Sequence, residues 1–207
     1  MPKQEVPFVQ LRSFLPEGCF EPVMLYLQQY RVHLTVTRQR QSILGDYRHA
    51  HEGKPHRISV NSNLNPYSFL ITLLHELAHL LTYERYGHRV PAHGKEWKHQ
   101  FSMILDQFLQ QRVFPADIEK ALLRSIQNPA ASSCGDEHLM RVLRVYDRPS
   151  ANQVLVEQVP EGKPFKISGD RLFLRGPQQR KRIRCQEIAT GKWYLFSPVY
   201  EVTQLTE

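Results

Sequence analysis

Apolar positions change their spacing several times along the chain, and each change marks an element. Between Glu21 and Arg31, Val23, Met24, Leu27 and Tyr30 recur at helical intervals, and Pro22 suits a first helical turn, so a short amphipathic helix is predicted. From Arg31 the period falls to two, with Val32, Leu34 and Val36 on one side. Similar short runs follow at Ile43 to His49 and His56 to Val60, separated by the turn-forming Gly53-Lys54-Pro55. These predict three strands of a small antiparallel sheet. Asn65-Pro66 then supplies a cap and a proline at the first position of a long helix running to Gly87. Its Leu70, Leu73, Leu74, Leu77, Leu80 and Leu81 form one broad face that must be buried. Trp97, Phe101, Ile104, Leu105, Phe108 and Leu109 predict a further helix from about Lys95 to Gln111, and a last one spans Asp117 to Ile126.

The text changes character after Asn128 to Asp136, a stretch of small and turn-forming residues that reads as a domain boundary. Beyond it, Met140 to Tyr146, Gln153 to Val159, Phe165 to Ile167, Arg171 to Leu174, Arg182 to Ile188 and Trp193 to Phe196 read as short strands punctuated by glycines, which predicts a small all-β module.

Composition agrees with two folded units. The chain has 207 residues, 41% of them hydrophobic and 23% charged, values that exclude wholesale disorder and coiled coil. Charge adds more. The net charge is +7, and between Lys163 and Lys192 nine basic residues face only Asp170 and Glu187, so that one stretch accounts for all of it. Interleaved with Phe165, Phe173, Trp193 and Tyr194, this focus suits phosphate contacts with base stacking, or else a solvated strand face. Arg180, Lys181, Arg182 and Arg184 are the candidate DNA-contacting residues. Cys19, Cys134 and Cys185 are too scattered for a disulfide framework or a metal knuckle and read as reduced thiols. The opening MPKQEVPFVQLRSF lacks the apolar core of a signal peptide and no 18-residue apolar run occurs, so a cytoplasmic protein without a membrane partner is expected.

The chemistry concentrates in the long helix. His75-Glu76-Leu77-Ala78-His79 is an H-E-x-x-H motif inside a segment already helical by its apolar spacing; chance matches in such a composition number on the order of 0.03. Residues four apart on a helix lie one turn apart on one side, so both imidazoles can address one ion while Glu76 reaches a water beside it. A merely polar stripe here would set titratable groups against a leucine-rich core, which is costly unless they are paired or metal-bound. Catalytic zinc takes a third protein ligand. His93 follows the turn after the helix and can fold back beneath it. Glu96 is the next candidate, with His88 and His99 further alternatives; the metzincin spacing is not met, because Thr82 and Arg85 stand where its glycine and histidine would be. Tyr47 and Tyr83 read as packing residues rather than catalytic donors.

The run HELAHLLTYERYGHRVPAHGKEWKHQF resembles the SprT-like domain shared by bacterial SprT proteins and the eukaryotic protease Spartan. The family's H-G-x-E-[WF] segment falls on His93, Gly94, Glu96 and Trp97, and the family's sheet is matched by LGDY at Leu44 to Tyr47 and HRISVN at His56 to Asn61. The resemblance covers about Phe20 to Leu109. It implies one zinc ion held by His75, His79 and His93, Glu76 as catalytic base, a protein or peptide substrate, and an association with DNA-bound proteins. Many relatives continue into a zinc ribbon with two C-x-x-C pairs, which this chain lacks. The expected fold class is α+β, with a minimal zincin-like domain over 1–128, a linker over 129–136 and a small basic all-β domain over 137–207. The function class kept beside the peptidase is a non-catalytic, zinc-containing nucleic-acid-binding factor.

Overall fold

Asn65 opens the helix that organises the first half of the molecule: its side chain accepts from the Ser68 N–H, Pro66 occupies the first turn, and Gly87 at φ 59° ends the helix. The computed structural model describes residues 8–40, 43–126, 136–148 and 152–205. These fold as two compact units that meet in sequence between Asp147 and Arg148.

In the first unit the helices are α1 (Phe8–Leu11), α2 (Phe20–Gln29), α3 (Pro66–Tyr86), α4 (Lys95–Gln110), α5 (Ala116–Ile126) and α6 (Glu137–Arg144), with a 3-10 turn at Arg12–Phe14. The strands are β1 (His33–Thr37), β2 (Gly45–Arg48) and β3 (Arg57–Asn61), in the order β1-β3-β2. Helix α3 packs on α4 and on β2 and β3, and its middle is buried, from Phe69 through Ala78 and again at Leu80 and Thr82, with His79 half-buried. The leucine face and the histidines are therefore both inside, against different neighbours.

The sheet corrects the wholly antiparallel expectation. β2 and β3 are antiparallel, Tyr47 opposite Ile58, but β1 and β3 are parallel, Leu34 opposite Ile58 and Val36 opposite Val60. After β1 the chain crosses to the far edge to lay down β2. It then reverses through the turn where His51 bridges Lys54, so β3 enters the gap running with β1. Ile58 and Val60 are buried at its centre, and β2 is left as an edge.

A second correction concerns Met140 to Tyr146, which is helix rather than strand. Asp136 caps α6 by accepting from the Leu139 N–H, and Leu139 and Leu143, four apart, are buried in the core of the first unit. The Asn65 amide donates to Leu143 O at 3.0 Å and to Asp147 Oδ1 at 2.6 Å, tying the end of this segment to the start of α3. The domain boundary expected at 129–136 thus moves to Asp147, and residues 137–147 leave the all-β domain; 127–135, including Cys134, lie outside the described residues.

The second unit is an antiparallel six-stranded sheet with strand order β4-β9-β5-β6-β7-β8. Its members are β4 (Gln153–Leu155), β5 (Pro164–Lys166), β6 (Leu172–Gln179), β7 (Arg182–Glu187), β8 (Trp193–Phe196) and β9 (Glu201–Gln204). Phe165, Phe173, Ile183, Cys185 and Phe196 alternate inward with Val156, Val159 and Val202 to close an apolar core. The register shifts between Arg175 and Gln178, and a Cβ on Gly176 would stand 2.6 Å from Arg184 O, so the bulge admits only glycine there. Among the described residues no helix is long and apolar enough to cross a membrane.

Candidate metal centre

Two segments deliver one constellation. His75 and His79 come from successive turns of α3, and His93 comes from the α3–α4 connection, which reverses after Gly87 and brings its ring back against α3. The His75 Nε2 atom lies 3.3 Å from His79 Nε2 and 3.4 Å from His93 Nε2. A tetrahedral ion with Zn–N bonds of ~2.0–2.1 Å has ligand-to-ligand edges of ~3.3–3.4 Å, so the donor set fits zinc in both chemistry and spacing. Among the described residues this is the one trio of histidine, cysteine or acidic side chains drawn together closely enough to hold a metal ion.

The other proposed third ligands stand elsewhere. Glu96 lies beside Lys95, Nζ to Oε1 4.0 Å, His99 is exposed, and His88 packs against His49 with ring centroids 4.8 Å apart.

Trp97, fully buried at the start of α4, forms the wall behind the trio. Its ring centre lies 4.7 Å from that of His75, 5.3 Å from His79 and 4.8 Å from His93, and Phe101 stacks behind it at 5.1 Å. Burial drives the pKa of His75 down to about 3, with His79 and His93 adding repulsion, and that of His79 down to about 4, with His93 adding to it. Burial also lowers His93. At neutral pH all three are therefore neutral imidazoles, the form that binds a metal.

Glu76 is equally buried. Its carboxyl pKa is raised to about 8, first by burial and then by Asp46, against a smaller opposing pull from Arg40. It lies against β2 at Gly45, where an added Cβ would come within 2.6 Å of Glu76 Oε1 and 2.8 Å of Thr72 Cγ2. The carboxylate can occupy its place because residue 45 has no side chain. Arg40 is held in turn by Asn61 and Ser59, its Nε donating to Asn61 Oδ1 at 2.8 Å and its Nη1 to Ser59 Oγ at 3.0 Å.

Tyr47 lies parallel to His79, ring centres 6.4 Å apart. The Ala50 N–H donates to His56 Nδ1, which makes that nitrogen an acceptor, so the Tyr47 hydroxyl donates to it as well at 2.9 Å. His56 Nε2 is 3.2 Å from Glu84 Oε1. With its hydroxyl engaged there, Tyr47 props the site. A cleft of about 550 Å³ runs from Ile43 along β2, past Glu76 and the trio, to His88 and Val90.

The sequence from 17 to 119 matches the SprT-like family. The chain belongs to that family. No curated protein and no solved structure matches it. The family is associated with zinc metallopeptidase chemistry, and the matched stretch of this SprT-like chain holds the whole trio, Glu76, Gly45 and Trp97. Helix α6 and the β unit lie beyond it.

The remaining sequence-derived site residues sit on the β unit. Arg180, at φ 55°, and Lys181 turn the β6–β7 hairpin, Arg182 opens β7, and the Arg184 guanidinium lies 4.0 Å from the centre of the Trp193 ring. The expectation of base stacking on Phe165 and Phe173 is corrected, since both are core residues; Trp193, 47% exposed, is the available ring. Arg171 pairs with Glu187 at 2.6 Å, Arg175 with Glu161 at 3.1 Å and Lys166 with Asp170 at 3.0 Å. The hairpin residues Arg180, Lys181, Arg182 and Arg184 make no ion pair among the described residues. Sequence reasoning did not reach Trp97, Gly45 or Arg40 as site residues, although the LGDY and H-G-x-E-W segments carried the signal for the first two.

Proposed function

We propose that the SprT-like domain is a zinc-dependent metallopeptidase of minimal zincin-like architecture, with His75, His79 and His93 holding the ion and Glu76 serving as general base. The observation that carries this reading is the pair of imidazole separations, 3.3 and 3.4 Å, beside a buried carboxyl on the same helix. Zinc in such a site lowers the pKa of a water to about 7 and polarises a carbonyl. Glu76 takes the proton of the attacking water on a carboxylate oxygen and passes it to the departing amine. With a cation bound alongside, the raised pKa of Glu76 would fall and its carboxyl would take the basic form. Trp97 excludes solvent from behind the imidazoles and fixes their orientation. β2 pairs with β3 on one side only and lines the cleft, so an extended polypeptide can add to its free edge with the scissile bond carried toward Glu76.

Purified protein is expected to carry one zinc per chain, to lose cleavage of an unstructured polypeptide on chelation, and to regain it with zinc. His93→Ala is expected to weaken zinc binding by more than about 100-fold, beyond the loss usual for residues that only orient a ligand. Undiminished affinity in that variant excludes His93 from the site. Gly45→Ala should leave zinc in place but displace Glu76, lowering kcat on the order of 100-fold, the cost of about 1 Å of misplacement. Normal turnover would show that the β2 contact does not position the base.

The β unit supports a nucleic-acid tether on the same chain, consistent with action on DNA-associated proteins. Outward positions Leu172, Leu174, Arg182, Arg184, Trp193 and Leu195 carry no carboxylate. An Arg-backed indole among cations suits a single strand. Replacing Arg180, Lys181 and Arg182 together by alanine should reduce the slope of log affinity against log salt by about 2 for single-stranded DNA. An unchanged slope removes the tether.

A further inference from the structure

The mouth of the cleft carries imidazoles that the proposed mechanism does not use. His49 immediately follows β2, and His88 immediately follows the end of α3 at Gly87; both line the cleft that contains Glu76. Their ring centres are 4.8 Å apart. Within the metal-fitting trio the corresponding separations are 5.0, 5.4 and 4.6 Å, so His49 and His88 stand as far apart as two imidazoles that share an ion. Tyr83 holds both, stacking on His49 at 4.7 Å and meeting His88 edge-on at 5.2 Å. His51, two residues on from His49, has its ring 6.1 Å from that of His49. Its side chain is 71% exposed and tied only at the surface to Glu52, Nε2 to Oε1 3.3 Å, so it can swing toward a shared ligand.

We propose that His49 and His88, joined by His51, form a second and weaker site for a divalent transition-metal ion at the mouth of the cleft. Three features set the occupant. Neutral imidazoles select zinc, nickel or copper over magnesium or calcium. The carboxylate of Glu52 beside His51 favours a cation in this neighbourhood. Unlike the trio, the three rings are not already drawn together, so closing His51 onto the ion costs side-chain freedom and leaves positions to water. The site therefore fills after the trio. Because His49 continues the line of β2, an ion there lies in the path of a chain docked along that edge. On the metallopeptidase reading, excess zinc then inhibits by blocking the cleft.

The test is equilibrium dialysis of the full chain against zinc chloride with elemental analysis, which counts ions without reference to catalysis. Wild type is expected to take up two ions, the second with affinity at least 100-fold lower. His49→Ala/His88→Ala should lose only the weaker ion, and His75→Ala/His79→Ala only the tighter one. His88→Gln alone, on an exposed turn, should weaken the second ion about 10-fold and guards against misfolding of the double variant. Uptake of a single ion by wild type, or a second ion that survives both the double variant and His88→Gln, overturns the proposal. Loss of no ion in His75→Ala/His79→Ala would instead overturn the assignment of the trio, so the two failures are told apart.

Discussion

Replacing Glu76 by glutamine is expected to reduce peptide cleavage by about 10²–10⁴-fold, the usual contribution of a positioned base, while zinc content stays at the wild-type level. Glutamine keeps the shape that fits against Gly45 but cannot take a proton. The same change should make the metal-free protein more stable at neutral pH. With its carboxyl pKa at about 8 in the fold against 4.5 in the free chain, Glu76 stays protonated when folded over a range where the unfolded chain has ionised. Its contribution is intact below pH 4.5 and falls as pH rises toward 8, a loss of roughly 3 kcal/mol by pH 7. Glutamine has no such loss. Metal-free Glu76→Gln should therefore resist urea better than metal-free wild type at pH 7, and the difference should vanish near pH 4.5. Equal cleavage by the variant would exclude Glu76 as the base, whereas a wild type that holds zinc and cleaves no polypeptide would favour the non-catalytic, nucleic-acid-binding alternative.

Trp97→Ala is expected to cost about 3–5 kcal/mol, as full truncation of a buried aromatic does, and to lower zinc affinity in parallel. Trp97 borders all three imidazoles and stacks on Phe101, so its removal opens a void behind the metal centre rather than at the periphery. Trp97→Phe separates the two effects. Phenylalanine retains much of the ring surface and removes an indole N–H that finds no partner among the described residues, so most of the stability should return. Denaturant unfolding of both variants, with and without zinc, measures the losses. A Trp97→Ala protein as stable as wild type would contradict the packing described for α4.

How far the sequence disclosed these features depended on the range of the interactions. α3 was legible to within a residue because Asn65, Pro66 and Gly87 mark its ends locally and its leucines repeat at one spacing. His75, Glu76 and His79 followed from the same local geometry. The pairing of β1 with β3 was not legible, since strand direction depends on where the chain crosses between elements, and alternation alone does not report it. Met140 to Tyr146 failed for another reason: Met140 and Val142 fit a period of two while Leu139 and Leu143 fit a helix, and the cap at Asp136 together with burial on the first unit decided between them. β9, four residues with only Val202 buried, carried too little pattern to be seen. Gly45 and Trp97 matter through what approaches them from distant elements, which no single stretch of sequence records.

The bonds from Asn65 to Leu143 and Asp147 have a consequence for biogenesis. The residue that nucleates the histidine-bearing helix makes its final attachments to residues some eighty positions downstream, so the helix cannot be sealed while that portion is still inside the ribosome. A nascent chain halted near residue 128 would expose the N-terminal end of α3 and the apolar surface that Leu139 and Leu143 cover. Closure of the N-terminal end of α3 is in this way coupled to translation reaching Asp147, well past the last histidine of the trio.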